Sequence, residues 1–306
     1  MSRVVVVKYI GGQHDRPLVQ LEYELLLKTG LRALSDSNDV STGLRRFVPG
    51  GIVGMKLNCL AHKLNSTSVA LVDALAVLLV GAGFKENNLV VWERSNRELA
   101  GAGYKLNATS SGRRCLGNDA TIVGYSDDFY SFGEVNSLVT RILTEIVDVN
   151  INLPVLKDHS VAGLSGGLKN MYGAINNPNK YHGGNCDPYC AHVSNLPPIK
   201  TKNRLTMMDA TYIQYNGGPG FVENYLSNYC GIVMSDDPVA ADRVGLEILE
   251  RVRRANSQPT LEQAGRPVKY LATAEKIGLG ISDMKKIDLK VIVVDKNGRE
   301  SAGVLF

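Results

Sequence analysis

No apolar run in this sequence is long enough to cross a membrane. The longest, residues 69–83, is broken by Asp73 and falls short of the ~18 residues a span requires. It reads instead as a buried helix. Nor does a charged, apolar leader open the chain, because Arg3 runs straight into the valines at positions 4–7. A cytoplasmic protein is expected, although export of a longer precursor remains compatible with the sequence. Cysteines are few and odd in number: Cys59, Cys115, Cys186, Cys190 and Cys230. A chain of this length needs no disulfide staples, so reduced thiols are expected.

An excess of one charge is also missing. Thirty-four basic residues face 30 acidic ones, for a net charge of +4. No basic stripe is interleaved with aromatics, which argues against nucleic acid as a partner. Arg251, Arg253 and Arg254 cluster late in an expected helix, where they complement the helix dipole and meet solvent. There is no internal repeat and no low-complexity linker.

What is present is a regular alternation of strand and helix. Strands are expected at residues 4–10, 51–58 and 88–93, with helices at 18–34, 69–79 and from Asn96 onward. The residues from Asn65 to Ser68 supply capping oxygens ahead of the second helix. The later chain adds a helix at 138–146 and strands at 147–156, 205–210, 231–234 and 289–294. A further helix starts at Asp237-Pro238, which supplies an N-cap and a proline at the first helical position. It runs to about Ala255, and another helix spans 271–277. This order predicts an α/β fold with mostly parallel sheets and crossover helices. A single domain of residues 1–306 is expected, in two interleaved lobes, 1–150 and 151–306. Ligands in such sheets meet the carboxyl ends of strands. That rule singles out Lys56 and Asn58, Glu93 and Arg94, and Lys157 to His159.

The segment richest in chemistry is Lys157-Asp-His-Ser-Val-Ala-Gly-Leu-Ser-Gly-Gly-Leu-Lys-Asn170. A strand delivers His159, a small-residue loop follows, and a short helix begins near Leu168. The backbone of Ser165, Gly166 and Gly167 offers N–H groups to an anion. Lys169 falls in the first helical turn, where a cation opposes the helix dipole by roughly 0.3–1 kcal/mol. The conflict is resolved if Lys169 faces a negative group. The spacing fits neither a Walker loop nor the dinucleotide fingerprint. Asp209, near a strand end and followed by a glycine loop, is a candidate base or ion-pair partner for Lys169. Asp242 lies one helical turn after Pro238. His182, Cys186, Cys190 and His192 are metal-capable, but not in a standard zinc spacing. His14 and His62 read as solvated loop residues.

The strings Gly54-Met-Lys-Leu-Asn58, Lys157-Asp-His159, Gly166-Gly-Leu-Lys-Asn-Met-Tyr-Gly173, Met208-Asp-Ala210, Gly217-Gly-Pro219 and Ser235-Asp-Asp-Pro-Val-Ala-Ala-Asp242 resemble the motifs of the prokaryotic domain of unknown function family 362. Some of its members carry an added iron–sulfur module, for which the closely spaced four-cysteine run is lacking here. The residues from His159 to Lys169 also resemble a motif of the lactate racemase family. That similarity implies a His and a Lys holding a nickel-bearing, pyridinium-derived cofactor.

Three functions stay open on these residues. In the first, an enzyme binds a small anionic substrate or cofactor through residues 165–167, Lys169 and Asn170. His159, Lys169 and Asp209 are then catalytic and Lys56, Asn58 and Arg94 form the walls, with proton transfer of the isomerase or racemase type. The second is a metal or iron–sulfur protein with a redox or metal-handling role, resting on His182, Cys186, Cys190 and His192 with Cys59 and Cys115 as extras; a metal ion would take His159, His182 and Cys186. The third is a non-catalytic anion-binding module.

Overall fold

The structure is a computed structural model that describes residues 1–11, 16–62 and 65–306. His14 lies outside the described residues. In chain order the elements are β1 (Ser2–Tyr9), α1 (Gln20–Ser35), α2 (Val40–Phe47), β2 (Val53–Lys56), α3 (Val69–Gly81), β3 (Leu89–Glu93), α4 (Asn96–Gly101) and β4 (Arg114–Gly117). A short hairpin, β5 (Tyr130–Phe132) and β6 (Val135–Ser137), precedes β7 (Val149–Asn152), β8 (Val155–His159) and β9 (Gly163–Ser165). Then come α5 (Gly167–Asn170), α6 (Tyr189–Ser194), α7 (Pro197–Lys202), β10 (Asn203–Gln214), β11 (Leu226–Ser235), α8 (Pro238–Ala255), α9 (Tyr270–Lys276), β12 (Ile287–Val294) and β13 (Glu300–Ala302).

One sheet runs in the order β13-β12-β1-β11-β10-β7-β2-β3-β4, with β8 and β9 branching from β10. The run from β10 through β7, β2 and β3 to β4 is parallel, while β11 pairs antiparallel with both β1 and β10. The expected α/β class with a mostly parallel sheet is therefore correct. Strands from both halves of the chain share this one sheet, with β1 inserted between β12 and β11. Both faces are covered, which explains why β2 and β3 are buried at every position. Val4 and Val6 join one apolar cluster with Trp92 and helix α8, while Val5 and Val7 join the other with Met55, α1 and α3. Each buried aliphatic side chain contributes roughly 1.5–3 kcal/mol.

The expected strand at 147–156 is two strands. Pro154, which has no N–H to donate, separates β7 from β8. The long β10 pairs with β7 along its first half and with β8 along its second. The chain thus steps away from β2 after Asn152, and a crevice opens at the carboxyl ends of β2, β3 and β8. The expected helix at 138–146 shrinks to one turn at Ile142–Ile146, because Thr140 N–H donates to the Ala174 carbonyl and Val139 bridges to Ile175.

Ser68 precedes α3 as expected, but it makes no side-chain cap; its N–H donates to Asp209. Arg253 is not a solvated helix end. It is buried, and its guanidinium donates to the Tyr215 and Pro259 carbonyls. The start of α8 agrees with the sequence. Asp237 accepts from the N–H groups of Val239 and Ala240, both at 2.9 Å, and also from Ile281 N–H and the Ser2 hydroxyl. Asp237→Ala is expected to cost about 1–2 kcal/mol in urea unfolding. A loss below ~0.5 kcal/mol would show that the cap is dispensable.

Candidate functional site

A cavity of about 310 Å³ occupies the crevice. Its lining includes Lys56 at the end of β2, Asn58 just beyond it, Arg94 after β3 and His159 at the end of β8. Ser165, Lys169, Asn170 and His182 also reach it. With Glu93, nine side chains selected from the sequence therefore meet in one place. They come from separate strands because parallel strands deliver their carboxyl ends to the same edge.

Of the amides expected to meet an outside anion, that of Gly167 is already taken inside the protein. Asp242, fully buried on α8, accepts from Gly167 N–H at 2.5 Å and from Leu168 N–H at 3.0 Å. The protein's own carboxylate occupies the start of α5. Glycine is needed here because a Cβ on Gly166 would stand 2.4 Å from the nearer Asp242 oxygen. Burial pushes the Asp242 carboxyl up to about 7, against the opposing pull of the two N–H groups.

The two histidines are fixed in opposite tautomers. His159 Nδ1 accepts from Val161 N–H at 3.1 Å and from Ala162 N–H at 3.2 Å. Burial first, and then the nearby Lys169, lower its pKa to about 3. The ring is neutral, and its proton sits on Nε2. His182 Nδ1 lies 3.0 Å from the Pro178 carbonyl. A carbonyl can only accept, so Nδ1 carries the proton and Nε2 keeps its lone pair. The rings stack with centroids 5.9 Å apart, and Tyr172 packs edge-on against His182 at 5.3 Å. Burial, followed by Lys169, also lowers the pKa of His182.

Among the described residues three cations line the cavity, and two are already matched. Lys56 Nζ donates to Glu93 at 2.8 Å, to the Leu57 carbonyl at 2.5 Å and to Asn170 Oδ1 at 3.4 Å. Arg94 pairs with Glu98 one helical turn on. The half-buried Lys169 has neither a hydrogen-bond acceptor nor a carboxylate among the described residues. Its Nζ stands 4.0 Å from the centre of the Tyr172 ring, a cation–π contact. Burial lowers its pKa, an effect opposed by Cys190 and Cys186.

Other selected residues lie elsewhere. Asp209 is not at a strand end, because β10 continues to Gln214. It is buried beside a different cavity, where it accepts from the Tyr23 hydroxyl, Thr211 N–H and Ser68 N–H. It makes no contact with Lys169. Lys157 is fully buried against the Asn65 carbonyl at 3.1 Å, and burial lowers its pKa to about 8. Cys186 and Cys190 are buried beside Tyr172. His192 turns away, its Nδ1 accepting from Glu134 N–H.

Among the described residues, no three His, Cys, Asp or Glu side chains converge to hold a metal. All five cysteines are buried and none is in a disulfide, and among the described residues no cysteine set for an iron–sulfur cluster forms. His159 does not fit as a ligand for a nickel-bearing cofactor, since its Nδ1 lone pair already serves two amides and its Nε2 is protonated. Sequence reasoning missed Tyr172, Glu98 and the Pro178 carbonyl, none of which carries a local signal.

The fold and crevice define an α/β protein with a polar site at the carboxyl ends of parallel strands. The chain belongs to the family described as domain of unknown function (DUF362), which matches residues 53–247. No match was found among curated proteins. A crystal structure of a Thermotoga maritima protein from a structural genomics consortium is similar, with a TM-score of 0.40 and 14% identity. The match covers 81% of this chain and 60% of that one, so the chain spans less than two thirds of that protein. Among the described residues, no helix is long and apolar enough to cross a membrane.

Asp242 has a raised folded pKa, so it favours folding most below its ordinary value of 3.8, and that contribution is lost as pH rises through about 7. Asp242→Asn is expected to remove this slope from urea-unfolding stabilities measured between those limits. It also loses the acceptor for Leu168 N–H. A slope identical to that of the parent protein would place the carboxyl's titration elsewhere.

Proposed function

We propose that the crevice binds a small anionic molecule and moves a proton on it, in chemistry of the isomerase or racemase type. The observation that carries this reading is the unmatched Lys169 ammonium in a cavity whose other cations are neutralised. With both histidines neutral, the described residues of the lining hold one uncompensated positive charge, which an anion would balance.

The ring nitrogens then divide the work. His182 Nε2, with its lone pair free, is the base that takes a proton from the bound molecule. His159 Nε2–H is a fixed neutral donor that stabilises negative charge developing on an oxygen. A low pKa suits that task, because the ring stays an imidazole rather than an imidazolium. Tyr172 holds Lys169 and His182 in register through its ring face and edge. The Gly167 and Leu168 amides are spent on Asp242 and fix the position of the loop rather than bind the anion.

Lys169→Ala is expected to weaken binding of small carboxylates roughly 10–100-fold by isothermal titration while leaving the melting temperature nearly unchanged. A large loss of stability with unaltered binding would make Lys169 structural. The proton step is read by NMR in D₂O, as exchange of hydrogens next to the carboxylate across a panel of small acids. His182→Gln is expected to slow that exchange roughly 10²–10⁴-fold. Binding without any catalysed exchange in the parent protein would leave a non-catalytic anion-binding module.

A further inference from the structure

Three asparagines link the glycine loop to the cavity wall. Asn152 Nδ2 donates to the Gly167 carbonyl at 2.9 Å, and Asn170 Nδ2 donates to Asn152 Oδ1 at 2.8 Å. Asn58 Nδ2 then donates to Asn170 Oδ1 at 3.3 Å. The Gly167 carbonyl can only accept, so it fixes the direction of every amide in the chain. Asn58 therefore has its Oδ1 left over. That oxygen is buried and has no donor among the described residues, although Asn58 lines the cavity. A buried acceptor without a partner is costly, and native structures rarely leave one unless something else supplies the hydrogen bond.

We infer that the anion held by this site also carries a neutral hydrogen-bond donor, an O–H or N–H group, which Asn58 Oδ1 accepts; this rests on the anion-binding reading above. Neutrality follows from the neighbours. Lys56, which shares Asn170 Oδ1 with Asn58, is answered by Glu93, so the charge left uncompensated on the described cavity wall is that of Lys169. An ammonium donor would be repelled where a hydroxyl or amide would not. The site thus selects a bifunctional molecule over a plain carboxylate. Part of that selection comes from the cost of leaving Asn58 Oδ1 unpaired when the donor is missing.

The test is isothermal titration of the whole protein with butyrate, 2-hydroxybutyrate, 3-hydroxybutyrate and 3-aminobutyrate. At least one hydroxylated acid is expected to bind about tenfold tighter than butyrate, with no such gain for the amino acid. Asn58→Leu is expected to bring the hydroxylated-to-plain ratio to about one, because the acceptor is gone. Hydroxylated acids no tighter than butyrate would overturn the inference, as would a ratio that survives in Asn58→Leu. If Asn58→Leu does not fold, the ratio in the parent protein decides alone. Butyrate that fails to bind, or that binds equally well to Lys169→Ala, overturns the anion-binding reading and this inference with it. Butyrate held through Lys169 without a hydroxyl preference overturns the inference only.

Discussion

The grip of Asp242 on the Gly167 and Leu168 amides is the constraint from which the site is built. Those N–H groups belong to the start of a short helix and are buried with it, so they need an acceptor. A side chain on α8 supplies it, tying the core of the second half of the chain to the loop that carries Lys169. The clasp also answers the puzzle of a lysine in a first helical turn. The negative group that offsets the helix dipole is internal, so the lysine side chain is not consumed by that task. It is left pointing its charge at Tyr172 and the cavity.

Around that lysine the electrostatics are almost balanced. Glu93 answers Lys56 and Glu98 answers Arg94. Burial beside Lys169 keeps the two imidazoles neutral, and backbone contacts at Nδ1 set them in opposite senses. Both rings line the cavity, His159 with its proton on Nε2 and His182 with its proton on Nδ1. A single unmatched ammonium in such surroundings is a stronger attraction for an anion than several charges spread through solvent.

Much of the site was legible because parallel strands present their carboxyl ends together. Lys56, Asn58, Glu93–Arg94 and His159 were found by that rule, without long-range contacts. What was not legible depends on pairings across long sequence separations. Asp242 lies 75 positions from Gly167, and nothing local shows that it fills the loop that looked open. Asp209 was misplaced because the apolar run around it gave too short a strand; the extension to Gln214 put it mid-strand against Tyr23. Cys186 and His192 looked like ligands by residue type, but six residues of turn and helix send them in different directions. Tyr172 escaped notice because one aromatic in a short helix looks the same whether it packs in the core or carries a cation.

The most direct measurement is the pKa of the Lys169 ammonium, read by heteronuclear NMR with and without a small carboxylate. A lysine without a carboxylate partner in a partly buried cavity titrates below the ordinary 10.5 and rises when an anion is supplied. A value at 10.5 that does not respond to added carboxylate would mean that Lys169 is solvated or already paired, and would contradict the functional reading.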